Sequence, residues 1–169
     1  MHMHDLTLLT DLYQLTMMNG YLKNGKDKDV AVFDLFFRRN NVITYSVAAG
    51  LEQAVEYIQN IRFTESDIKY LRSLGLFDEA FLEYLKDFRF TGDVYAVPEG
   101  TLVFPEEPLL TVRAPLCEAQ LLETALLNIV NHQTLIATKS AKVAYAAKGD
   151  TVMEFGLRRA QGPDAGLYG

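Results

Sequence analysis

At 169 residues with 49% hydrophobic side chains, the chain is long enough for one hydrophobic core, or for one and part of a second. A net charge of -6, with basic residues scattered rather than massed, argues against nucleic acid or an anionic membrane as its main partner. No apolar run approaches a membrane span, no signal peptide is visible, and a single cysteine, Cys117, rules out an internal disulfide and fits a reducing, cytoplasmic setting.

The opening Met1-His2-Met3-His4 holds two histidines, but at a free terminus they read as a disordered start rather than a metal site. Thr10 is expected to cap a helix beginning at Asp11. Leu12, Leu15, Leu22 and the Met17-Met18 pair supply its apolar stripe, and Gly25 is its stop. Tyr13 lies off that stripe beside Asp11 and Gln14.

Val30 to Arg38 predicts a strand. Ala31, Phe33, Leu35 and Phe37 share one face; Val30, Val32 and Phe36 share the other with Asp34 and Arg38. With both faces largely apolar, it is expected to be covered and central. Arg38, Arg39 and Asn40-Asn41 end it in a turn, and the two arginines read as interface or loop anchors. Ile43 to Ala48 predicts a second short strand. Leu51, Val55 and Ile58 mark a helix after Gly50. Thr64-Glu65-Ser66-Asp67 is an N-terminal helix signal with acids in the first turn, and Gly75 stops that helix. Asp78 is expected to cap one more.

Between Thr91 and Pro115 the pattern changes to three short strands: Val94 to Val97, Leu102 to Phe104 and Leu109 to Val112. Pro98-Glu99-Gly100 and Pro105 to Pro108 punctuate them as turns. This predicts a small sandwich. A biotin- or lipoate-carrying sandwich needs a lysine at a hairpin tip, and no lysine lies between Lys86 and Lys139. Leu116 to Lys148 reads as helix throughout, two helices or one kinked one, with a polar interruption at Asn131 to Thr134 and a stop at Gly149. His132, alone among apolar neighbours, reads as a hydrogen-bonded packing residue. Cys117 lies among apolar residues and reads as buried and inert.

Thr151 to Met153 predicts a short buried strand. Gly156 precedes Arg158 and Arg159, and Gly162-Pro163 follows them, so the pair should stand at a strand end. Two guanidinium forks in such a place suit a carboxylate or a phosphate. Pairing with the chain's own Glu154 or Asp164 is the equal alternative.

The stretch Glu154 to Leu167, E-F-G-L-R-R-A-Q-G-P-D-A-G-L, closely resembles the signature of the nicotinate phosphoribosyltransferase family. Leu9 to Met17, L-T-D-L-Y-Q-L-T-M, resembles that family's opening motif. Phe33 to Asn40, F-D-L-F-F-R-R-N, resembles its next, with Asn41 where the family usually has proline. The three motifs stand in the family's order and together span essentially the whole chain. Thr138, Lys139 and Ser140 occupy a stretch that the family sets near its barrel's entry.

The resemblance implies an α+β fold: the N-terminal α/β sandwich domain of a type II phosphoribosyltransferase (1–137), then the start of a truncated α/β barrel (138–169), with Thr151 to Gly156 as its first strand. A barrel takes roughly 200 or more residues, so the chain is expected to be a fragment, a truncation or one half of a split gene, inactive alone. The implied chemistry joins nicotinate to 5-phosphoribosyl 1-pyrophosphate in NAD synthesis, coupled to ATP hydrolysis and using Mg²⁺. Tyr13 would stack on the nicotinate ring across a homodimer interface, and Arg158 and Arg159 would bind anionic groups of the substrates. The family's phosphorylated histidine has no match here, and His132 does not inherit its role. A nicotinamide or quinolinate phosphoribosyltransferase and a non-catalytic assembly module are the alternatives.

Overall fold

A computed structural model describes residues 5–39 and 42–169. The first two histidines and the Asn40-Asn41 turn lie outside the described residues. Helices α1 (Leu12–Lys23), α2 (Leu51–Asn60), α3 (Glu65–Ser73), α4 (Glu79–Lys86), α5 (Leu116–Ala147) and α6 (Pro163–Tyr168) combine with strands β1 (Val30–Leu35), β2 (Ser46–Val47), β3 (Asp93–Ala96), β4 (Leu102–Val103) and β5 (Leu110–Pro115).

The spine is α5. No proline or glycine falls between Leu116 and Ala147, so nothing breaks its ladder, and the polar residues at 131–134 do not interrupt it. Its 32 residues form one helix of about 48 Å. Lys148 and Gly149, both in left-handed conformations, end it. The N-terminal half is buried: Cys117, Leu121, Leu122 and Ala125 reach no solvent. α1, α2 and strands β1, β2 and β5 all pack on this helix.

The strands divide between two antiparallel sheets, one ordered β1-β5-β3 and the other β2-β4. Phe33, Val112 and Val94 align across the first sheet and turn toward the core. This corrects the expectation for β1. Apolar alternation does not reveal strand order, and the middle place goes to β5, whose Leu110, Val112 and Ala114 are all buried. β1 is an edge strand, shorter than expected, with Val30 and Val32 exposed on its outer face.

The helix starts follow local chemistry, with one change of capping residue. Thr64 and Asp67 form the reciprocal capping box of α3. The cap of α1 is Asp11, not Thr10, and its carboxylate accepts from Thr124 on α5 instead of from its own helix. Asp78 stands at the cap of α4, but its carboxylate takes Lys23 and Asn19. Leu12, placed on the buried stripe of α1 by its spacing, is exposed; Gln14, Leu15 and Met18 form the buried face.

Candidate functional site

Tyr13 projects from the first turn of α1 into an open cleft of about 640 Å³. The end of β1 supplies one wall through Phe36, Phe37 and Arg38; α5 supplies the other through Glu123, Asn128 and Asn131. Tyr13 is 49% exposed on this cleft, and an aromatic ring so placed can meet a planar ligand.

Behind the ring lies a buried polar chain. Gln14 reaches no solvent. Its amide nitrogen donates to the Tyr13 hydroxyl at 2.9 Å and to Glu123 Oε2 at 2.7 Å. Its amide oxygen accepts from the buried Gln120 Nε2. One residue before Tyr13's own turn, Asp11 Oδ2 accepts from Thr124 Oγ1 at 2.9 Å. The Tyr13 phenol is held above its ordinary pKa, first by desolvation and then by the nearby carboxylates of Glu123 and Asp11. None of this chain stood out in the sequence except Tyr13. A signal was present: Gln14 is one turn before Met18, which puts a polar side chain on the helix's core face.

The arginine segment departs from expectation. Residues 151–156 form no strand, and Val152, Met153 and Phe155 are exposed. An apolar run becomes a buried strand only when a neighbouring strand takes its backbone bonds and a layer covers its side chains, and the described residues supply neither. Arg158 and Arg159 lie in a 3-10 turn (Leu157–Arg159), and Gly162 and Pro163 then start α6. Both arginines are exposed. Arg158 donates to the Phe155 carbonyl at 3.3 Å, and among the described residues neither arginine forms an ion pair. Glu154, the acid nearest in sequence, accepts from the Gly156 backbone instead. Neither arginine lines the Tyr13 cleft.

α6 borders a second cleft, of about 370 Å³, on the α5 residues Asn128, Asn131 and His132. His132 packs edge-to-face on Tyr168 with centroids 6.1 Å apart. The packing role holds, and its buried Nε2 has no hydrogen-bond partner among the described residues. Thr138 is buried and anchors β2, its hydroxyl accepting from Val47 N. Cys117 is fully buried, and its thiol is pushed up to about 12 by burial and by Asp27 and Glu118.

The chain is an α/β domain with a half-exposed tyrosine on an open cleft and, in a separate turn, two exposed arginines without an ion pair among the described residues. Residues 8–131 match the family model described as the nicotinate phosphoribosyltransferase N-terminal domain, and the chain belongs to that family. It is 50% identical over 165 residues to the nicotinate phosphoribosyltransferase of Bacillus subtilis, covering 97% of this chain and 34% of that protein. A nicotinate phosphoribosyltransferase of Mycobacterium tuberculosis is 48% identical over 159 residues, covering 94% of this chain and 34% of the relative. The crystal structure of human nicotinic acid phosphoribosyltransferase superposes with a TM-score of 0.85 at 43% identity, over 94% of this chain and 33% of that one. The chain thus spans about a third of the length of the curated relatives it matches.

Proposed function

We propose that this chain provides the nicotinate-stacking and anion-binding elements of a nicotinate phosphoribosyltransferase. In the reaction, the nicotinate ring nitrogen attacks C1 of 5-phosphoribosyl 1-pyrophosphate, the C1–O bond breaks, and nicotinate mononucleotide and pyrophosphate leave. Tyr13 offers its face to the pyridine ring, and Arg158 and Arg159 hold the negative charge of the substrates. Fixed guanidinium groups stabilise charge that builds on the departing pyrophosphate more strongly than water does, because their orientation is set beforehand. The observation that carries this reading is the exposed ring of Tyr13 on its cleft, in a chain that belongs to this family.

Among the described residues, neither arginine lines the Tyr13 cleft. That favours a homodimer in which Tyr13 of one subunit serves the site that holds the arginines of the other. Domain limits at 1–137 and 138–169, ATP coupling and a cytoplasmic setting belong to the same reading. Mg²⁺ has no cage here: among the described residues no three His, Cys, Asp or Glu side chains cluster to hold an ion. Mg²⁺ is usually held by one or two carboxylates together with the substrate's own phosphate oxygens, and no step is assigned to it.

The test is product formation by the purified protein that carries this chain. Nicotinate, nicotinamide and quinolinate are each supplied with 5-phosphoribosyl 1-pyrophosphate, with and without ATP. Nicotinate mononucleotide from nicotinate alone, faster with ATP, is the expected result. Preference for either other pyridine, or no turnover of any, overturns it.

A further inference from the structure

A side-chain amide buried at zero exposure is costly unless its polar atoms are matched. Leucine would fill the same place on α1 beside Leu15 and Met18 at no such cost. Gln14 occupies it, and both of its amide atoms are hydrogen-bonded. Its oxygen takes the Gln120 amide, and its nitrogen divides two N–H groups between the Tyr13 hydroxyl and Glu123. Glu123 fixes which way the amide faces, because a carboxylate only accepts. The direction of the chain is therefore outward, from buried Gln120 through Gln14 to the tip of a half-exposed ring.

The anchoring is bilateral. Asp11 bonds Thr124 and Gln14 bonds Glu123, so the residues flanking Tyr13 along α1 are tied to two consecutive residues of α5. Tyr13 is then fixed at its Cα by the clamped turn and at its hydroxyl by the amide. A ring held at one end only would sweep the cleft, and a ligand would have to order it on binding.

We infer that Gln14 is a positioning residue for the pyridine-stacking face, acting through the Tyr13 hydroxyl with Gln120 and Glu123 as its supports. This rests on the proposed stacking role of Tyr13. Tyr13→Phe separates the two needs. Stacking needs only the ring, but holding the ring needs the hydroxyl.

The experiment compares nicotinate KM, 5-phosphoribosyl 1-pyrophosphate KM and kcat in the protein that carries this chain, for Tyr13→Ala, Tyr13→Phe, Gln14→Leu and the Tyr13→Phe/Gln14→Leu pair. Tyr13→Phe and Gln14→Leu should each raise nicotinate KM about five- to tenfold, since each frees one rotamer-rich group that binding must order. The other KM and kcat should hold. The pair should do no worse than the worse single variant, since both cut the same link. Multiplying effects, or equal losses on both substrates, would mean that Gln14 only packs α1 on α5 and would overturn the inference. A raised nicotinate KM in Tyr13→Ala beside unchanged Tyr13→Phe and Gln14→Leu overturns the inference and leaves the stacking reading standing. An unchanged KM in Tyr13→Ala removes both. Should Gln14→Leu not fold, Tyr13→Phe decides alone, because it disturbs no buried packing; an unchanged nicotinate KM in it is then the overturning result.

Discussion

The hydroxyl of Thr138 accepts the backbone N–H of Val47 at 2.9 Å, so a side chain of α5 takes the place of a strand partner for β2. The same hydroxyl donates to the Thr134 carbonyl at 2.6 Å, and Thr134 in turn meets both the N–H and the carbonyl of Ala49. β2 is two residues long, and among the described residues it pairs with β4. Its other edge is satisfied by these two threonines, which tie the second sheet to the spine.

Thr138→Val tests that arrangement. Valine keeps the shape but leaves the Val47 N–H without its acceptor in a part-buried place. A loss of about 1 to 3 kcal/mol is expected, read as a lower urea midpoint with an unchanged slope. A change within a few tenths of a kcal/mol would mean that solvent replaces the bond.

A second prediction concerns the start of α2. Gly50 has φ 99° and no side chain to cap with, and Glu99 reaches over from a turn to accept from both Gly50 N at 2.6 Å and Leu51 N at 2.7 Å. A carboxylate at a helix N-terminus meets unpaired donors and the favourable end of the helix dipole. Glu99→Ala should cost about 0.5 to 2 kcal/mol, as loss of a cap does. Glu99→Gln should recover part of it, because the amide oxygen still accepts but carries no charge. Thermal melts of the two variants check the order.

These examples mark how far the sequence was legible. The capping box at Thr64 and Asp67 was readable because donor and acceptor lie three residues apart on one helix. Glu99 at α2 and Thr138 at β2 were not, since their partners lie 49 and 91 residues away. The same limit explains β1 and the 151–156 run. Local pattern gives apolarity, while coverage depends on which strand lies beside it. Family motifs singled out Tyr13, which lines the cleft, and the arginine pair, which does not. The Gln14 support was half legible: its spacing to Met18 puts it on the core face of α1, but its partners Glu123 and Gln120 lie 109 and 106 residues away.

Cys117 gives a pH prediction. Burial first, then Asp27 and Glu118, hold its folded thiol up to about 12, against about 8.5 in an unfolded chain. A raised folded value means that the unfolded state loses its proton first as pH rises. Stability from this group is therefore fully present below about pH 8.5 and is lost progressively from there up to about 12. Urea midpoints of wild type should fall across that window, and Cys117→Ala should flatten the fall. A thiol reagent such as DTNB should leave the native thiol unmodified and label it after denaturation. Rapid labelling of the native protein would contradict the buried placement.

The last prediction joins the two halves of the proposed site. Tyr13→Ala removes a stacking face, which is worth about 1 to 3 kcal/mol by analogy with base stacking on aromatic side chains. It should raise nicotinate KM with little change in kcat, because a stack is felt equally in the ground and transition states. Arg159→Ala removes a charged donor, and if that donor faces charge developing on pyrophosphate the loss is about 2.7 to 4 kcal/mol in kcat/KM. Among the described residues, Arg159 does not line the Tyr13 cleft. In a homodimer with sites shared across the interface, a mixed dimer of Tyr13→Ala and Arg159→Ala subunits holds one site with both defects and one with neither. Mixing the two weak variants under conditions that exchange subunits should therefore restore activity, up to about half the wild-type value per dimer when mixed dimers are complete. Native mass spectrometry with one variant isotope-labelled counts the mixed dimers independently of activity. Mixed dimers present in quantity without any recovered turnover would show that Tyr13 and Arg159 serve the same subunit's site, or that Tyr13 does not reach the substrate at all.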